Sequence, residues 1–158
     1  MDATIMPSIT LLVKQLSRDY PDISFLADDS FWWSPDTRTV HYMPNSMLTE
    51  LLLHEAAHGI LGHKDYQRDI ELIQKEREAW DYAHSMLGPS YGVPIALDQS
   101  ELSLDTYRDW LHARSTCPHC TATGLQTKHA LYKCYACGHS WRVNEARTCA
   151  LRRYPAIK

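Results

Sequence analysis

The chain has no run of about 18 apolar residues, so no part of it is expected to span a membrane. Its opening stretch, Met1-Asp2-Ala3-Thr4-Ile5-Met6-Pro7, lacks the basic start and the long apolar core of a secretory signal, and the expectation that follows is a cytoplasmic location. Internal repeats and low-complexity tracts are missing too, and 158 residues suit one domain with a small appendage. Acidic residues nearly vanish from the C-terminal part. Residues 115–158 hold 7 Lys+Arg against 1 Glu, net +6, whereas 1–114 hold 9 Lys+Arg against 18 Asp+Glu, net −9. That imbalance points to two modules with different partners, and the basic one can meet nucleic acid or dock on the acidic one. Cysteine is sparse: of five, four fall in two C-x-x-C pairs, which in a reducing compartment favour a metal over disulfides.

What is present is organised around Leu51-Leu52-Leu53-His54-Glu55-Ala56-Ala57-His58-Gly59-Ile60-Leu61-Gly62-His63. Residues four apart share a helix face, so His54 and His58 can offer two imidazoles to one zinc ion. Glu55 can reach a water on that metal without ligating it, the arrangement of metal-assisted hydrolysis with a Glu general base. A surface helix with two stray histidines is the bland alternative. The apolar residues all round this segment speak for burial, where idle His and Glu side chains are costly.

Before that segment, Ile5, Ile9, Leu12, Val13 and Leu16 recur at helical spacing, with Ser8 or Thr4 as cap, and predict a helix over 5–18. Ile23–Leu26 predicts a short strand. Phe31–Trp33 and Thr39–Met43, flanking a Pro-Asp turn, predict a hairpin, with Trp32 and Trp33 as packing residues. The metal helix is expected to be capped by Asn45 or Ser46 and to stop at Gly62. A second helix is predicted over 67–87, closed by Gly88-Pro89, then a loop over 90–99 and a third helix over 104–113 capped by Ser103.

A site of this kind takes a third protein ligand and keeps one position open. His63 comes five residues after His58 and is placed at the helix exit. Asp65 and Asp69 read as loop and helix start. Glu76 and Glu78 remain, in Glu76-Arg77-Glu78-Ala79-Trp80-Asp81-Tyr82-Ala83; about 200° apart on a helix, they cannot both reach one ion.

His54-Glu55-Ala56-Ala57-His58, followed by that Glu-x-Glu-Ala-x-x-Tyr-Ala segment, resembles the ImmA/IrrE family of metallo-endopeptidases, of the wider gluzincin type, over about residues 40–90. The resemblance implies Glu76 as third ligand and Ala79 as the small residue that lets the two helices approach. Where the related pattern has an Asp supporting a zinc histidine, this chain has Trp80, with Asp81 next to it. The implied reaction is endopeptidase hydrolysis: zinc acidifies its water, Glu55 takes the proton and passes it to the leaving amine. Tyr66, Tyr82, His84 and His63 are candidates for the further donor to the oxyanion. The resemblance also places Thr39–Tyr42 beside the cleft, where an extended substrate can add as a strand.

Cys117-Pro118-His119-Cys120 and Cys134-Tyr135-Ala136-Cys137, the second followed by Gly138, can present four thiolates to one ion. With Ala130–Lys133 and Ser140–Val143 as strands, this module resembles a zinc ribbon. A closed four-thiolate site is structural, so two zinc ions are expected, one catalytic and one structural. Cys149 is the odd cysteine and is expected to be a buried or partly buried thiol. Tyr132, Tyr135, Trp141 and the surplus of Arg and Lys suit nucleic acid, and ribbons bind protein as well. SprT-like peptidases also join H-E-x-x-H to a C-terminal ribbon and act on DNA-associated proteins, but their third ligand is usually His.

The expected architecture is α+β: a zincin-like metallopeptidase domain over 1–114, with one helix, a short, mostly antiparallel sheet of about three strands and two metal-binding helices, then a zinc ribbon with a basic tail over 115–158. The expected function is a zinc-dependent endopeptidase acting on a regulatory or DNA-associated protein. The alternative is a nucleic-acid- or protein-binding ribbon carried on a latent or inactive peptidase-like scaffold. Retention of Glu55, which a dead scaffold has no use for, distinguishes them.

Overall fold

The computed structural model describes residues 6–156. It divides into two compact units, Met1–Asp65 with Lys75–Ser100, and Tyr66–Gln74 with Glu101–Lys158. The class is mixed α and β, with two small sheets. No helix among the described residues is long and apolar enough to cross a membrane.

In the first unit, helix α1 covers Ile9–Asp19. Ser8 caps it, its hydroxyl accepting from the Leu11 N–H at 3.3 Å, and Ile9, Leu12 and Leu16 are buried. Ile5 and Thr4, at the predicted start, lie outside the described residues. Strands β1 (Ser24–Ala27), β2 (Trp32–Ser34) and β3 (Thr39–Tyr42) form a sheet in the order β1-β3-β2. The predicted hairpin is there, Trp33 opposite Val40. The expected mostly antiparallel sheet is not, because β1 runs parallel to β3, Phe25 opposite Val40. The chain leaves a one-strand gap between β1 and β2 and then fills it with β3, whose Val40 is fully buried. Asp28, in the connection, holds the gap. Its carboxylate accepts from Trp32 Nε1 at 3.0 Å and meets His41 Nδ1 at 2.9 Å, and the Trp32 and His41 rings stack at 3.7 Å. Thr39–Tyr42 is therefore the central strand and has no edge to offer a substrate; the free edges belong to β1 and β2.

Helix α2 spans Thr49–Leu61 and stops at Gly62, whose φ of 70° is the left-handed conformation a glycine adopts without strain. Neither Asn45 nor Ser46 caps it. The Ser46 hydroxyl accepts instead from the Leu48 N–H at 3.1 Å, before the helix begins. Leu52, Leu53, Ala56 and Ala57 are buried. Gly59 makes room for Trp33, since a Cβ there would stand 2.9 Å from the indole.

Helix α3 covers Asp69–Tyr82, shorter than the predicted 67–87. The chain does not end its helical course at Gly88-Pro89. It passes through a π-helical turn, Ala83–Leu87, into a short helix α4, Gly88–Tyr91, with the proline in its first turn. Helix α5 then runs over Leu97–Ser115, so the loop is shorter and the third helix longer than the sequence pattern suggests.

The second unit holds an antiparallel sheet in the order β4-β5-β6-β7, built from Leu125–Lys128, Leu131–Lys133, Ser140–Val143 and Arg153–Pro155. Its core is Cys117, Tyr132, Cys134, Trp141 and Val143. The charge step at 114/115 is not where the units divide. A buried ion pair lies within the second unit. Arg114 donates from Nε to Asp69 Oδ2 at 2.7 Å and from Nη2 to Oδ1 at 3.3 Å, the Tyr132 hydroxyl donates to the same carboxylate, and Asp69 is 0% exposed. This non-local contact ties residues 66–74 and the body of α5 to the ribbon sheet.

Arg114→Met removes the cation and strands the Asp69 carboxylate. The expected loss in urea unfolding is about 3–5 kcal/mol, partly recovered in Asp69→Asn/Arg114→Met, where Asn still accepts from Tyr132. A single-variant loss below about 1 kcal/mol would put the pair with ordinary exposed ones.

Candidate metal centres

Helix α2 projects His54 and His58 from one face because they are four residues apart, and α3 brings Glu76 against them. Glu76 Oε2 lies 3.1 Å from His54 Nε2, Glu76 Oε1 lies 3.4 Å from His58 Nε2, and the two Nε2 atoms are 3.2 Å apart. The three side chains are 4, 7 and 6% exposed. Ligand atoms held ~2.0–2.1 Å from a tetrahedral ion stand ~3.3 Å from one another, so the three observed separations fit one ion. The donor set, two imidazoles and a carboxylate, is that of a hydrolytic metal site with a position left over. These three residues can hold a metal ion, and so can the four cysteines.

Electrostatics separates the two buried carboxyls. Burial alone raises Glu76, but hydrogen bonds and charge from His54 and His58 outweigh it and hold Glu76 well below the usual carboxylate range. Burial also opposes a charged His58, and the Glu76 partner prevails and raises it. Glu55 moves the other way: burial raises it beyond what the two histidines and the Trp33 backbone N–H can offset. Glu55 sits beside the cluster without joining it, Oε1 4.0 Å from His54 Nε2, and its side chain is 16% exposed. One carboxyl is thus anchored as a charged ligand and the other keeps access and proton affinity.

Ala79 is fully buried. Trp80 is buried too, and its ring stacks on His54 at 4.1 Å and 19°. His54 Nδ1 has no hydrogen-bond partner among the described residues, and Asp81 is exposed, so no carboxylate supports His54 there. His63 and Glu78, the alternative third ligands, stand outside the cluster. His63 Nδ1 lies 2.8 Å from His58 Nδ1, and His63 Nε2 lies 3.1 Å from Glu78 Oε2. Sequence reasoning missed this contact, whose only signal is a His just past the glycine that ends α2.

The other oxyanion candidates have the following partners. Tyr66 belongs to the second unit and packs edge-on against Trp110, His84 Nδ1 meets the Ile95 carbonyl at 2.7 Å, and Tyr82 lies beside Tyr20. Trp33 is a site residue that the spacing did not reveal. Its Nε1 donates to the His63 carbonyl at 2.8 Å, and its backbone N–H favours charged Glu55.

In the ribbon, Cys117 and Cys137 sulfurs are 3.7 Å apart and Cys120 and Cys134 sulfurs 3.5 Å. Disulfides are far shorter, and sulfurs at ~2.3 Å from a tetrahedral zinc stand ~3.8 Å apart. The two knuckles match. Thr121 and Gly138, each following the second cysteine of its pair, have φ of 64° and 79° and return an N–H to the Cys117 and Cys134 carbonyls at 2.9 Å. Cys149 is an exposed thiol that accepts from Asn144 Nδ2 at 3.4 Å.

Elemental analysis is expected to find two metal ions per parent chain, one in Glu76→Ala and one in Cys134→Ser; two ions in Glu76→Ala would move the third ligand elsewhere. The chain matches no family model, no curated protein and no solved structure, so its own side chains carry the functional reading.

Proposed function

We propose that this chain is a zinc-dependent endopeptidase resembling the ImmA/IrrE-like gluzincins. The observation that carries the reading is the His54–His58–Glu76 cluster at tetrahedral separations with Glu55 beside it. A zinc ion held by these three residues supplies Lewis acidity, acidifying water and polarising a peptide carbonyl. Glu55 takes a proton from the attacking water on a carboxylate oxygen and passes it to the nitrogen of the leaving amine. Its Oε1 stands 4.0 Å from His54 Nε2, beside the cluster, and its partial exposure leaves it within reach of a substrate. The free edge of β2 takes the place of β3 as the strand along which an extended peptide lies, since the Trp33 N–H on that strand faces Glu55.

Glu55→Gln is expected to lower kcat/KM on an extended-peptide library by about 10²–10⁴-fold while the variant still takes up both metal ions. Cleavage at the parent rate would sink the peptidase reading and leave a scaffold whose function lies in the ribbon.

One observation favours nucleic acid as a partner of that ribbon. The pairing register puts Lys128, Leu131, Arg142 and Tyr154 in a row across the sheet, with Leu125, Lys133 and Ser140 in the next row on the same face. None of these seven is acidic, Tyr154 is exposed, and Lys133 Nζ lies 5.3 Å from the ring centre of exposed Tyr135. Cations beside exposed rings suit phosphates and stacked bases of a single strand. A DNA-associated protein is then the substrate class such a ribbon would bring to the peptidase. Anisotropy with a labelled single-stranded oligonucleotide is expected to show salt-dependent binding, and Arg142→Gln to lower the salt slope by about 1. No binding at low salt would leave a protein as the partner.

A further inference from the structure

We propose that His63 and Glu78 are positioning residues for the metal site, a carboxylate–imidazole support that fixes the proton and the ring of His58. The proposal rests on the reading that His54, His58 and Glu76 hold a metal ion.

The geometry assigns each proton. His58 Nε2 faces the ligand cluster, 3.2 Å from His54 Nε2 and 3.4 Å from Glu76 Oε1. A neutral imidazole that gives its Nε2 lone pair to a metal carries its hydrogen on Nδ1. His58 Nδ1 lies 2.8 Å from His63 Nδ1, and one hydrogen serves both atoms, so His58 donates and His63 accepts. His63 then carries its own hydrogen on Nε2, 3.1 Å from Glu78 Oε2, and donates it to the carboxylate. No donor meets a donor along this chain, and no ring nitrogen in it lacks a partner.

The His63 ring is held in place for this. Its backbone N–H donates to the His58 carbonyl at 2.9 Å, its carbonyl accepts from Trp33 Nε1 at 2.8 Å, and its side chain is 10% exposed. Gly62, in the left-handed conformation, turns the chain so that His63 comes back alongside His58. Glu78 lies two residues beyond Glu76 on α3, so one helix supplies both the ligand carboxylate and the outer one.

His54 has no equivalent. Its far nitrogen is unpartnered among the described residues and its ring rests on Trp80. The carboxylate support that the gluzincin pattern offers to a zinc histidine through an Asp at position 80 is absent, and a longer one, routed through a second imidazole, serves His58 instead.

Outer partners of metal-bound histidines set ligand orientation and basicity, and losing one typically costs 10–100-fold in metal affinity. Competition with a chromophoric chelator, on protein whose ribbon ion is retained, reads the affinity of this site for zinc. His63→Phe is expected to weaken it about 10–100-fold, His63→Gln to recover part of the loss through its amide oxygen, and Glu78→Gln to weaken it less. Because Glu78 acts through His63, the double variant Glu78→Gln/His63→Phe is expected to match His63→Phe. Long-range proton–nitrogen NMR of the zinc-loaded parent is expected to place the hydrogen on Nδ1 in His58 and on Nε2 in His63, a signature that packing alone would not produce. Parent affinity in His63→Phe, or a His63 hydrogen on Nδ1, would overturn the support. A parent that takes up no ion beyond the ribbon's would instead overturn the metal-site reading beneath it.

Discussion

Everything in the first unit answers to one constraint: a carboxylate and two imidazoles must meet in a space nearly closed to water. Three lone-pair donors some 3 Å apart are costly unless a proton or a cation sits among them. The surroundings supply that closeness. Ala79, three residues after Glu76, is fully buried, and Gly59 takes the Trp33 indole against the back of α2. Leu52, Leu53, Ala56 and Ala57 keep α2 fixed, so the imidazoles cannot swing out to solvent. Glu55 escapes full closure because it lies one residue from His54 and turns off that face.

The parts of this site legible in the sequence were those set by helical period. His54, Glu55 and His58 follow from an i, i+4 spacing in an apolar segment. Glu76 follows from the spacing of the Glu-x-Glu-Ala stretch and its resemblance to a known pattern, and the structure places it in the cluster. The four cysteines announce themselves by spacing. What stayed hidden depends on contacts between distant residues. The pattern around Thr39–Tyr42 identifies a strand but not its neighbours, and β3 lies between β1 and β2. Helix ends were misread for a related reason. Proline is a poor helix interior residue but a good first-turn residue, so Gly88-Pro89 opens α4 rather than closing what precedes it.

The second unit shows the limit of reading modules from charge. The step in net charge falls between residues 114 and 115, yet Arg114 is bound by its buried pair with Asp69, 45 positions away. Composition averages over a segment, whereas a compact unit is drawn by where particular groups find partners. Asp69, out of contact with water and held by a guanidinium and a phenol, is one such group, joining residues 66–74 to Arg114 and Tyr132 within the second unit. A ribbon of this size has little core beyond Tyr132, Trp141, Val143 and its cysteines, so such a pair weighs more here than it would in a large domain.

The two histidines of α2 are supported by different forces, and the difference bears on what each can do. His54 rests on the face of Trp80, a contact that fixes the ring plane but is indifferent to which nitrogen carries hydrogen. His58 meets through Nδ1 an imidazole that ends on a carboxylate, a directional contact that orients the ring. A dispersion contact tolerates a few tenths of an ångström of sliding, while a hydrogen bond weakens quickly as its angle opens. His58 is therefore the directional reference of the cluster and His54 the compliant member. Glu76 stands with one oxygen towards each.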